Sequence, residues 1–364
     1  MARNLQTTWT ERELLATDPL EEPLIVAGYR CHGGFDSNGR YHSPRTHGRV
    51  PAIEAWQAQF REQCHTDLLD IPLETWPRTF PNVAQAKHLL RSGVNEPIVS
   101  TLTRIGTVEG FGAMIRHAAV PDRQCFFVES IEGTAIEHLD RGLFEAHARD
   151  EAGWEDESGH KEMWFAARDL AFESPPTEDE TERMLERMGI PTGASATDPE
   201  AIRQRMWAAK VIDDLDLGFE MLLQRMINIL LIEISAFHTF AWAEEVLSDQ
   251  ELVAGEGEAA TVVSYIRADE TPHVEYLKTT LSEVRERTLI TESGRRRPGR
   301  EVIEELWDRQ LATSLGPNRA QLRENTLAEV ERACAARANG DDIFAEFTTL
   351  GDPEPAVAAT KEPT

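Results

Sequence analysis

Cysteine is scarce. The 364 residues hold four, Cys31, Cys64, Cys125 and Cys334, far apart and without a CxxC pair. That spacing argues against a disulfide framework or a zinc finger, and it makes a reducing cytoplasm the expected setting. Basic charge is short as well. Lys and Arg total 37 against 64 Asp and Glu, a formal net charge of −27. Such a surface repels the phosphate backbone of nucleic acids and anionic membranes, so neither is expected as a partner. No apolar run reaches the ~20 residues that cross a bilayer. The opening MARNLQTTWTEREL lacks the apolar core of a signal peptide. Hydrophobic residues still make up 41%, too many for a wholly disordered chain. The length suggests two domains, or one large domain with extensions.

Residues 1–95 read as irregular, because stretches such as CHGGFDSNGRYHSPRTHGRVP are dense in turn formers. One short helix is expected there, from Pro51. From about Glu96 the texture becomes helical, and the class is all-α. Five main helices are predicted over 97–118, 122–140, 143–173, 205–247 and 257–287. A longer connection, 174–204, carries one short helix, TEDETERMLERMG. Two helices, a crossover and two more helices is the connectivity of a ferritin-like four-helix bundle. The bundle is expected over 96–290, C-terminal helices at 300–312 and 318–337 within 291–350, and a disordered tail over 351–364.

One motif occurs twice: Asp156-Glu157-Ser158-Gly159-His160 and Asp269-Glu270-Thr271-Pro272-His273. In a helix, positions i and i+3 share a face, so each copy offers one oxygen and one nitrogen ligand from a single turn. Leu143, Ala146, Trp154 and Trp164 share that face of the first copy, as do Val263, Ile266, Leu277 and Leu281 of the second. Burying a Glu and a His there is costly unless something pairs with them. A metal pair would. Such a site also takes one carboxylate from each partner helix. Glu233 stands alone in the run Ile229–Ile234, at the same hairpin depth as Glu270. Glu129 follows Cys125-Phe126-Phe127-Val128 in a similar way and is chosen over Glu132, one turn later.

These residues resemble the ferritin-like di-iron carboxylate superfamily, which includes ribonucleotide reductase small subunits, bacterial multicomponent monooxygenases and acyl-carrier-protein desaturases. The resemblance covers about residues 120–287. It implies a ligand set of Glu129, Glu157, His160, Glu233, Glu270 and His273. It further implies that Asp269 holds His160 and Asp156 holds His273 by accepting from their outer ring N–H. Gly159 and Pro272 depart from regular helix just before each His. Either the helices are distorted at the metal, or one motif is not mid-helix.

The implied activity is a non-haem di-iron oxidase or oxygenase using two iron ions, with manganese or a mixed pair as the alternative, and O₂ as co-substrate. Hydroxylation, N-oxygenation, desaturation or oxidative cleavage of a small organic molecule all fit. An external electron donor and a homodimer are compatible. The rival readings are a ferroxidase without an organic substrate and a metal-free helical interaction protein. His238 is read as a supporting histidine, and His138 and His147 as surface or packing residues. His32, His42 and His47 sit in the Gly/Pro-rich loop, where a second metal site is a minor alternative.

Overall fold

A computed structural model describes residues 6–18, 22–69, 71–118, 121–172 and 199–351, together with residues 177, 180 and 183. It is mostly helical with a few short strands, as an all-α reading requires. The expected short helix after residue 176 and the expected tail fall almost wholly outside the described residues.

A four-residue helix, α1 (Glu11–Leu14), opens the described chain under a Thr10/Glu13 capping box. A small antiparallel sheet follows, β1 (Glu22–Val26), β2 (Tyr29–Phe35) and β3 (Tyr41–His42), in the order β1-β2-β3. The β1–β2 turn places Ala27 and Gly28 at positive φ, the conformation that tight hairpins demand. These strands correct the irregular reading of this region: the glycines are turns and strand positions. Helices α2 (Arg49–Cys64) and α3 (Val83–Arg91) complete it.

Helix α4 (Glu96–Gly112) is followed by α5 (Phe144–Ala152) and α6 (His160–Ala171). After α7 (Pro199–Ala209) come the two longest helices, α8 (Leu217–Leu247) and α9 (Glu258–Arg285). A hairpin of β4 (Thr288–Ile290) and β5 (Arg296–Pro298) leads to α10 (Gly299–Thr313), α11 (Arg319–Ala335) and α12 (Gly340–Thr349). The expected helix over 122–140 is absent. That stretch holds short 3-10 turns at Arg123–Phe126 and Ile136–His138, with left-handed Gly133 between them, and the start of a kinked π turn at Leu139–Leu143. The expected helix over 143–173 is two helices, broken at residues 153–159.

Helix α9 packs against α8 and α6, and α6 packs against α4. Apolar side chains form two clusters. One holds Phe144 and Ala148 of α5, Leu222–Ile234 of α8 and Val274–Val284 of α9. The other holds Leu102 of α4, Met163–Ala171 of α6, Phe240–Leu247 of α8 and Ala259–Ile266 of α9. Each long helix passes from one cluster to the other, and buried polar residues lie at the crossing. Helix α8 is long and apolar enough to cross a membrane by composition, with an 18-residue window of mean hydropathy 1.4, but half of that window is buried within the protein. Glu220, Arg225 and Glu233 interrupt the apolar run along this helix. Glu233, in the middle of the helix, is turned inward and buried.

Candidate metal centre

The polar layer between the two cores is built from five helices. Helix α5 presents His147 and Glu151, four residues apart and therefore on one face, and both are buried. Helix α6 begins with His160, α8 supplies Glu233, and α9 supplies Glu270 and His273, all buried. Helix α4 contributes Glu109, whose side chain is 11% exposed.

These donors form two overlapping quartets, His147–Glu151–Glu233–His273 and Glu109–Glu151–His160–Glu270, with the donor atoms of each within 4.8 Å of one another. Glu151 belongs to both. Glu270 also spans them, with Oε1 2.7 Å from His160 Nδ1 and Oε2 2.6 Å from His273 Nδ1. Several of these atoms are buried without a hydrogen bond, among them His147 Nε2, Glu151 Oε2, His160 Nδ1 and Glu270 Oε1. Orphaned buried polar atoms are costly. His160 Nδ1 and Glu270 Oε1 close to 2.7 Å without hydrogen-bond geometry, as donors aimed at a shared cation do. The donor set, imidazole and carboxylate, suits iron or manganese. Four glutamates balance two divalent cations.

The electrostatics follow from the crowding of buried carboxylates and imidazoles. Burial opposes charge on His273, yet Glu270 and Asp150 raise its pKa to about 9. Burial likewise opposes charge on His160, but Glu270 and Glu151 hold it well above the usual histidine range. Burial, and then the Glu270 and Glu151 charges, push Glu233 well up. Burial and the Glu151 and Glu270 charges do the same for Glu109. Glu270 is opposed by burial but kept well below the ordinary carboxylate range by its two histidines.

An outer layer holds the donors. Asp150 Oδ2 lies 2.9 Å from His273 Nε2, so that nitrogen carries the proton and Nδ1 faces the glutamates. Asp150 is paired in turn with the buried guanidinium of Arg49 and, at 3.6 Å, with Arg45. On the other side Asp269 Oδ2 lies 2.6 Å from His32 Nε2, accepts from Tyr41 Oη at 2.9 Å and stands 3.9 Å from His160 Nε2. His32, Tyr41, Arg45 and Arg49 all come from the N-terminal segment. That segment therefore supports the cluster directly.

No family model, no curated protein and no solved structure matches this chain. Function has to be read from the donors themselves.

Of the residues singled out from sequence, His160, Glu233, Glu270 and His273 converge. Glu157 does not. The chain leaves α5 at Gly153 (φ 80°), reverses through left-handed Glu155 and re-enters helix at Gly159. Trp154 and Glu157 exchange backbone hydrogen bonds across that reversal. Glu157 is carried out to Arg45, at 2.8 Å, and Glu151 stands where it was expected. Asp156 is 73% exposed beside Arg30, and Asp150 supports His273 in its place. Glu129 accepts from the backbone N–H and hydroxyl of Thr288, at 2.8 and 2.9 Å, and Glu132 is exposed. Neither joins the cluster. His238 lies 2.9 Å from the Leu73 carbonyl, and His138 is buried between the Trp9 amide and the Thr134 carbonyl. His147, read as a packing or surface residue, is in the cluster. His32 is buried against Asp269, His47 is exposed beside Asp18, and the side chain of His42 lies outside the described residues.

Three donors escaped the sequence reading. Glu109 sits on the stripe Ile98–Leu102–Ile105 of α4, the same lone-acid signal that marked Glu233. His147 and Glu151 form an i, i+4 pair on the face of Phe144 and Ala148, a stripe overshadowed by the repeated motif nine residues on. Gly153 and Gly159 were the sign of the break between α5 and α6. A Cβ on Gly153 would lie 2.4 Å from the Glu157 carbonyl oxygen, and one on Gly159 would lie 2.2 Å from that of Glu151.

Proposed function

We propose that the chain is a di-metal oxidase or oxygenase of the ferritin-like type, with α4, α5/α6, α8 and α9 as its four donor-bearing helices. The observation that carries this reading is the pair of buried His/Glu quartets sharing Glu151. One ion would take His160, Glu109, Glu151 and Glu270; the other would take His147, His273, Glu233 and the shared glutamates. Iron bound there supplies electrons to activate O₂ for attack on a small organic substrate.

The protein's own part is positioning. Asp150 fixes the proton of His273 on Nε2, and Arg49 keeps Asp150 ionised in a buried setting, where burial alone would favour its protonated form. Tyr276 Oη, 3.1 Å from His147 Nδ1, orients that ring with Nε2 toward Glu151 and Glu233. The apolar clusters above and below keep bulk water away from the donors.

The test is O₂ uptake by protein loaded anaerobically with Fe(II). The expected result is oxidation of about two Fe(II) per chain with no further iron accumulating. Continued iron uptake would favour the ferroxidase reading, and no reaction with O₂ would contradict the proposal.

A further inference from the structure

In a chain with 27 more acids than bases, one cavity gathers four arginines. The space, about 170 Å³, lies between α4, α8, α11 and the segment 77–80. Arg78, Arg104, Arg319 and Arg323 line it, and no Asp or Glu is among the described residues of its wall. Arg104 is tethered at 3.5 Å to Thr326 Oγ1, with Glu329 close enough to act on its charge. The guanidinium carbon of Arg323 lies 4.2 Å from the centre of the Phe80 ring. Phe80, Ile105 and Leu322 give the cavity apolar walls. Guanidinium groups around a small, partly apolar space suit a planar, singly charged anion on a hydrocarbon body.

The position of the cavity ties it to the cluster. Thr101 and Ile105 of α4 and Ser235 and Thr239 of α8 line it together. Glu109 follows Ile105 by one turn of α4, about 6 Å, and Glu233 precedes Ser235 by two residues on α8. The charge of Glu109 indeed acts on Glu233. Glu109 and Glu233 are also the most exposed of the seven donors, at 11% and 6% of their side chains. Both helices that line the arginine cavity thus carry a donor within about one turn of its wall.

We propose that this cavity binds the carboxylate of a small organic acid, whose apolar body points between α4 and α8 toward the His/Glu cluster. The carboxylate site stands on the cavity alone. The pointing of the substrate rests on the di-metal reading.

The experiment uses the full chain and 4-fluorobenzoate, followed by ¹⁹F NMR. The metal-free protein is expected to bind it saturably and to ignore the neutral 4-fluorobenzamide. Arg104→Gln and Arg323→Gln should each weaken binding at least tenfold, the scale of one lost charge-assisted contact. Arg323→Lys, which keeps the charge, should retain more than half of that loss, and circular dichroism should show all variants folded. Equal binding of the amide, binding indifferent to the Gln variants, or tighter binding of inorganic phosphate would overturn the carboxylate assignment. In protein holding two Co(II) per chain, the bound fluorine should be broadened by the paramagnetic ions. Binding without broadening would overturn the substrate path while leaving the metal reading intact. Failure to take up cobalt would contradict the metal reading and remove the path's destination, with the carboxylate site still judged on the metal-free titration.

Discussion

Loading the cluster with metal should expel protons, and the number follows from the structure. The perturbation is the addition of two divalent cations to metal-free protein at neutral pH. His273, with its pKa raised to about 9, and His160, held well above the usual range, each carry a proton there. Glu233 and Glu109, pushed up by burial and by neighbouring carboxylates, add to the pool. A ligand must shed its proton to bind, so at least two protons leave per pair of ions. Each proton released makes apparent affinity rise tenfold per pH unit. Two protons amount to about 100-fold between pH 7 and 8, or ~3 kcal/mol over the pair. Calorimetric titration with Mn(II) in buffers of different ionisation enthalpy counts these protons directly. A release below one per chain, or an affinity flat from pH 6.5 to 8.5, would refute the assignment of the protonated histidines as ligands.

Three further outcomes follow from other parts of the molecule. Gly159→Ala puts a Cβ 2.2 Å from the Glu151 carbonyl oxygen; overpacking of this kind costs ~1–3 kcal/mol, so urea unfolding should shift and metal uptake should fall, and an unchanged variant would contradict the tight reversal. Arg49→Met strands Asp150, both groups being buried; with Arg45 still 3.6 Å away, a loss of ~3 kcal/mol in unfolding free energy is expected, and less than 1 would show that Asp150 does not depend on Arg49. Glu283, buried as the acceptor for the Ala135 and Ile136 amides, is raised by burial to about 7. An acid held above its unfolded value binds a proton in the native state that the unfolded chain has lost, so its contribution falls as pH rises from about 4.5 to 7, by ~3 kcal/mol in all. Comparison of wild type with Glu283→Gln by urea unfolding at pH 5 and 7.5 should show that difference, and parallel losses in both proteins would refute it.

The helical class, the two longest helices and the second motif were legible because their signals are local, although the helix expected over 205–247 is broken at residues 210–216 into α7 and α8. Asp216 caps α8 through the Phe219 amide, apolar residues fill α8, and α9 runs unbroken through Pro272. The inward-facing acid Glu233 was visible for the same reason: a charge inside a hydrophobic run has no other comfortable place. The first motif misled because a four-letter spacing implies one face only if the helix is continuous. Here Gly153 and Gly159 break it, and Glu151, two residues before the break, takes the inward place. Glu129 misled in a similar way, since its apolar neighbours pack as 3-10 turns against Phe219. The supporting roles of His32, Tyr41, Arg45 and Arg49 depend on contacts more than 100 residues apart in sequence, which no local pattern carries.

Metal content decides the central claim. Protein expressed with iron and analysed by mass spectrometry should hold about two metal ions per chain. Glu151→Gln, which removes the shared carboxylate, should lose at least one, while Glu157→Gln, whose target sits on Arg45, should keep both. Wild-type protein without bound metal, or equal loss in the two variants, would contradict the account.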